Sequence, residues 1–141
     1  MRILVLCTGN SCRSQMAEGF LRSFDSKIDV FSAGTEASGK INQGAVKAMA
    51  EIDIDISRHS SDPVSKYLKE EWDYVITVCG GANENCPAFL GKVKHRLHMG
   101  YDDPSFAEGS EEFVWSEYQR VRDEIKVGFN KLYKEEILPQ L

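Results

Sequence analysis

The sequence predicts an α/β fold, a four-stranded parallel sheet flanked by helices. Two observations carry that prediction. Short apolar runs alternate along the chain with segments whose apolar residues recur every three or four positions, the pattern of βαβ units with right-handed crossovers. The first apolar run also passes directly into a tight turn and then a helix, the junction at which such sheets bind ligands. With 141 residues the chain has the length of one unit, and a single domain over 1–141 is expected.

Residues 3–6 form a short apolar run opening on Arg2, as a buried first strand does. Thr8-Gly9-Asn10-Ser11 follows as a turn. Residues 14–24 read as a helix, with Met16, Phe20 and Leu21 or Phe24 on one face. Residues 28–32 make a second strand, closed by Ala33-Gly34. Asn42 is a cap for a helix running through Val46, Met49 and Ala50. Asp62-Pro63, a cap followed by proline, predicts a helix over 64–68.

Residues 74–78, Tyr-Val-Ile-Thr-Val, are the clearest strand in the chain. A segment rich in Gly and Asn then separates Cys79 from Cys86-Pro87, and residues 93–97 predict a fourth strand on weaker alternation. Gly109-Ser110 opens the last helix, where Trp115, Tyr118, Val121, Ile125, Phe129 and Leu132 recur at helical spacing and are expected to dock on the sheet. Trp72 and Trp115 read as packing groups, and His59, His95 and His98 are given no chemistry.

A strand order of 2-1-3-4 puts the first and third strands side by side. Cys7 directly follows one and Cys79 the other. Adjacent strands lie about 4.8 Å apart, and a disulfide needs Cα atoms about 4.4 to 6.8 Å apart. That order therefore brings the two thiols within bonding range.

Composition narrows the function. Formal net charge is -5, which argues against nucleic acid and acidic membrane surfaces as partners. No apolar run approaches the roughly 18 residues of a membrane span, and the start lacks a cleavage-type signal, so a cytoplasmic monomer is expected. Four cysteines in such a setting point to catalysis or metal binding before structural disulfides. Their spacings, C-x4-C and C-x6-C, lack the paired knuckles of a zinc site, so no metal is assigned to them.

Cys7 to Ser14 is a strand-loop-helix junction suited to an oxyanion. The amides of Thr8, Gly9, Asn10, Ser11 and Cys12 can turn inward as a concave donor set. The helix that follows adds its free N–H groups, and Arg13 a planar fork of donors. The same field is expected to lower the pKa of Cys7 and make it a nucleophile, with Ser14 placed to donate to its sulfur.

Cys-x5-Arg-Ser resembles the signature of the cysteine-dependent phosphatases, in the setting of the low-molecular-weight tyrosine phosphatase scaffold. Tyr101-Asp102-Asp103-Pro104 is similar to that scaffold's late general-acid loop, which implies that Asp103 protonates the leaving oxygen. Two positions depart from the phosphatases: Gln15 stands where proline is usual after Arg-Ser, and Ser105 where an aromatic residue follows Asp-Pro.

Residues 7–19 together with Cys79-Gly-Gly-Ala-Asn-Glu-Asn-Cys86-Pro87 resemble instead the thioredoxin-coupled arsenate reductases of the same family. The resemblance implies that Cys7 attacks arsenate, that Cys79 then forms a disulfide with Cys7 and releases arsenite, and that Cys86 takes over Cys79 for reduction by thioredoxin. It implies phosphate as a competitor and no tightly bound cofactor. In some members potassium lies near the loop, at positions matching Asn10, Glu18, Ser32, Ser60 and Asp62. Cys12 is expected to pack. Residues 79–86 are expected to form a marginal helical turn that unwinds on oxidation. The rival readings are a protein-tyrosine phosphatase with extra cysteines and a non-enzymatic redox sensor.

Overall fold

The structure is a computed structural model that describes residues 1–141. Its centre is one parallel sheet of β1 (Arg2–Cys7), β2 (Asp29–Gly34), β3 (Trp72–Thr77) and β4 (Val93–His98), in the order β2-β1-β3-β4. This is the predicted order. β1 is buried along its apolar run because it has neighbours on both sides, whereas β4 is an edge strand whose Lys94, His95, Arg96 and His98 face outward.

The helices are α1 (Arg13–Phe24), α2 (Gln43–Ala50), α3 (Gly80–Glu84) and α4 (Glu111–Leu132). Asn42 caps α2, its side chain accepting the Ala45 N–H at 3.0 Å. Ser110 caps α4 in the same way through the Phe113 N–H, at 3.1 Å. The inward stripe of α4, from Tyr118 through Val121, Ile125 and Phe129 to Leu132, is buried as its spacing predicts. It packs alongside α1 and α2. Trp115 stays at the margin, under the Lys47 ammonium 4.3 Å from the ring centroid.

One predicted element is different. After Asp62-Pro63 the chain makes only a 3-10 turn over Val64–Tyr67, with Pro63 extended before it. Val64 and Tyr67 use the turn to fill the core. No helix of the chain is long and apolar enough to cross a membrane.

The topology sets β1 and β3 in register, Leu6 opposite Thr77, with the Val78 N–H bonded to the Leu6 carbonyl at 2.9 Å. The chain then leaves both strands at the same edge, at Cys7 and Cys79. Close approach is enforced on the other side of β1 as well. A Cβ on Gly34 would lie 2.5 Å from the Thr8 carbonyl, so glycine is required where β2 passes the start of the loop.

Candidate active site

The loop after β1 is built from its carbonyls outward. Those of Cys7, Thr8, Gly9 and Ser11 accept backbone N–H groups of Thr35, Glu36, Ser38 and Asn42, at 2.9 to 3.1 Å. The Asn10 carbonyl accepts from Gln15 Nε2 at 3.0 Å, and that of Cys12 from the Met16 N–H at 3.0 Å. The N–H groups of Gly9, Asn10, Ser11 and Cys12 donate to no acceptor in the chain. With every carbonyl turned away, the loop's donors form a nest for an anion. α1 starts at its rim with no acidic residue in the first turn to cancel its positive end.

Asn10 is the keystone. It takes the left-handed conformation, φ 48, whereas Gly9 beside it does not. Fully buried, its side chain donates to Ser14 Oγ at 2.8 Å and Ser32 Oγ at 2.9 Å, and accepts from the Asp62 N–H at 2.9 Å. Ser14 makes no hydrogen bond to Cys7; its Oγ instead accepts from Asn10 Nδ2.

Arg13 supplies the charge. Its Nη1 donates to the Tyr101 carbonyl at 3.0 Å and its Nη2 to Asp103 Oδ2 at 3.3 Å. Its Nε is buried and without a partner, a donor held for something the chain does not provide. Asp103 is tied in turn by Ser105, whose N–H and hydroxyl donate to Oδ1 at 2.9 and 2.7 Å. The hydroxyl half of that grip depends on the serine side chain itself. The neighbouring Asp102 meets Arg120 at 3.2 Å.

Cys7, Cys12 and Cys79 are buried, Cys86 is half-buried, and all four are free thiols. Cys79 caps α3: its sulfur accepts the Ala82 N–H at 3.4 Å and lies 3.3 Å from Thr8 Oγ1. Its pKa falls to about 4, chiefly because Cys7 donates to it, with Thr8 and Ala82 adding to the effect against burial. Cys7 moves the other way. Commitment of its proton to Cys79, and then burial, push it up despite Arg13 and the Thr8 N–H. The expected low pKa of Cys7 is therefore corrected: in the free protein it is the Cys79 thiol that is pushed down and the Cys7 thiol that is pushed up. Burial first, and then Asp103, push Cys12 up to about 12, as befits a packing residue.

The five positions given for potassium come together below the loop. Ser32 Oγ, which accepts from Asn10, donates to Glu18 Oε1 at 2.8 Å, and Ser60 donates to Asp62 at 2.6 Å. These oxygens suit a hard cation, but Arg22 and His59 already stand on the Glu18 carboxylate, each at 3.1 Å. A bound ion would share that carboxylate with them. Sequence reasoning missed Gln15 and His59. Gln15 spans the Asn10 and Ser60 carbonyls, and its Oε1 lies 3.0 Å from His59 Nδ1. The one sign of this was a polar residue on the inward face of α1.

Residues 2–138 match the family described as Low molecular weight phosphotyrosine protein phosphatase. The chain belongs to that family. Within it, the chain is 52% identical over 124 residues to a protein of Halalkalibacterium halodurans named arsenate reductase, covering 87% of this chain and 88% of that one. It is also 52% identical over 130 residues to an arsenate reductase of Shouchella clausii, covering 92% of each chain. Among solved structures, one described as an arsenate reductase in the phosphate binding state superposes with a TM-score of 0.80. It is 31% identical in sequence and covers 95% of this chain and 97% of its own.

Proposed function

We propose that this phosphatase-family enzyme reduces arsenate to arsenite by a three-thiol relay, and that thioredoxin restores it. The observation that carries the reading is the Cys7–Cys79 pair. Hydrolysis of a phosphate ester needs the loop, Arg13, Cys7 and Asp103, and gives no role to a second thiolate beside the nucleophile. The relatives named arsenate reductase support the same reading.

Arsenate enters the nest of N–H groups and the Arg13 fork. As the Cys7 sulfur attacks arsenic, its proton passes to the Cys79 thiolate, and Asp103 protonates the departing oxygen, which leaves as water. Cys79 then loses that proton to solvent and attacks the Cys7 sulfur. The S–S bond forms as the S–As pair of electrons stays on arsenic, which leaves as arsenite. Cys86 then attacks Cys79, frees Cys7 and leaves the Cys79–Cys86 disulfide for thioredoxin. Unwinding of α3, only five residues long, brings Cys86 to Cys79 and exposes their disulfide. Potassium is proposed only as a supporting ion at Asn10, Glu18, Ser32, Ser60 and Asp62. A cytoplasmic setting, where thiols stay reduced, suits the four free cysteines.

The test is arsenate-dependent NADPH oxidation with thioredoxin and thioredoxin reductase, comparing wild type with Cys86→Ser. Turnover in the wild type that is lost in the variant supports the relay. No turnover, with efficient hydrolysis of an aryl phosphate, would replace it with the protein-tyrosine phosphatase reading that the loop and Asp103 also serve.

A further inference from the structure

Cys86 occupies a cleft of its own. The cleft lies between α3 and the edge strand β4, encloses about 330 Å³, and is lined by Thr77, Asn83, Cys86, Arg96 and His98 among others. Arg96 and His98 sit two residues apart on β4, opposite Val75 and Thr77 of β3, so both present to one face of the sheet. The Arg96 guanidinium lies 5.5 Å from the ring centroid of Phe89, three residues beyond Cys86. One cation therefore contacts the segment carrying Cys86 and lines the thiol's cleft. No carboxylate lines that cleft, and His98 Nδ1 is engaged by Thr77 Oγ1 at 2.8 Å.

We propose that Arg96 is the positioning residue of the third thiol: stacked on Phe89, it holds residues 86–89 against β4 and offers its charge to Cys86 as that thiol ionises to attack Cys79. The inference rests on the relay reading and adds to it the group that prepares its last intramolecular step. In that step the Cys86 proton goes to solvent and the sulfur attacks Cys79 within the Cys7–Cys79 disulfide. The Cys86–Cys79 bond forms as the Cys79–Cys7 bond breaks, and Cys7 leaves as a thiolate beside Arg13. The number of disulfides is unchanged, so the step needs no outside oxidant or reductant. In the reduced protein, burial pushes the Cys86 thiol up and Arg96 opposes it. Loss of Arg96 leaves burial unopposed.

The experiment is a single turnover with arsenate and no thioredoxin, quenched with acid and mapped for disulfides, on wild type, Arg96→Gln and Arg96→Lys across pH. In Arg96→Gln, conversion of Cys7–Cys79 to Cys79–Cys86 is expected to slow about tenfold at neutral pH and to recover part of the wild-type rate at high pH, where the thiol ionises unaided but the stacking on Phe89 is still missing. Arg96→Lys is expected to recover most of the rate. Equal rates in wild type and Arg96→Gln, or a deficit that persists unchanged at every pH, would overturn the role given to Arg96. A wild type that forms no arsenate-dependent disulfide would overturn the relay itself, and the proposal with it.

Discussion

Arg13 Nη2 and Asp103 Oδ2 stand 3.3 Å apart across the mouth of the oxyanion loop, both side chains largely out of solvent. The carboxylate that serves as acid in the proposed reaction thus occupies part of the fork that would receive the substrate. An incoming oxyanion competes with Asp103 for Arg13, and Asp103, held through Oδ1 by Ser105, remains within reach of the anion's oxygens.

Replacing Asp103 by Asn separates these two effects. Arsenate turnover is expected to fall on the order of 10² to 10³-fold, the usual loss when a positioned proton donor is removed. Phosphate is expected to inhibit the variant more tightly than wild type, by about threefold, because a neutral amide competes less for the guanidinium. Steady-state kcat and the phosphate inhibition constant measure the two. Weaker phosphate inhibition would show that Asp103 helps to hold the anion instead of competing with it.

The opposed shifts of Cys7 and Cys79 give a pH signature. Cys79 is ionised above about 4, so one thiolate should persist through the acid range. The hydrogen bond from Cys7 is the largest cause of that low value, and its removal in Cys7→Ala should raise the pKa of Cys79. Ultraviolet thiolate absorbance titrated in Cys12→Ser and in Cys12→Ser/Cys7→Ala reads the difference. The first is expected to stay flat from about pH 6 to pH 8, and the second to gain absorbance across that range. A thiolate lost only on removal of Cys79, with no shift on removal of Cys7, would mean that Thr8 and Ala82 suffice.

Asn10 tests what holds the loop. Asn10→Ala leaves Ser14, Ser32 and the Asp62 N–H without their partner and puts alanine at positive φ. The expected loss is about 2 to 4 kcal/mol, read as a lower urea midpoint at unchanged slope. Asn10→Gly keeps the backbone permissive and loses the same hydrogen bonds, so it should recover only the conformational share, roughly 1 kcal/mol. Full recovery would mean that the backbone, and not the side chain, is what the position requires.

The sheet order, the oxyanion loop and the meeting of Cys7 with Cys79 were legible because each follows from strand pattern and from where each strand ends. The electrostatics of that meeting were not. Which sulfur carries the charge depends on Thr8, 71 residues from Cys79, and on the Ala82 N–H at the start of α3. Neither contact exists until β1 and β3 pair. The helix expected after Pro63 failed for the converse reason. Asp62-Pro63 is a local start signal, and nothing local reveals that the chain turns into the core four residues later. Gln15 and His59 were passed over because their partners, two carbonyls and one carboxylate, become neighbours only in the folded chain.

Gly81 offers the sharpest probe of Thr8. A Cβ at Gly81 would come within 2.8 Å of Thr8 Oγ1, and the hydroxyl is the side that can yield, by rotating away from Cys79. The first turn of α3 would itself gain from alanine, by up to about 1 kcal/mol. Gly81→Ala is therefore expected to be as stable as wild type or slightly more so, yet to hold its Cys79 thiolate less well. Thr8→Val should show the same thiolate loss without the change in helix propensity. In single turnovers with arsenate, both variants should form the first disulfide more slowly at acidic pH than wild type and approach it at alkaline pH. Gly81→Ala with a slow first step at every pH would instead point to the helix, whose stiffening delays the approach of Cys79 whatever its charge.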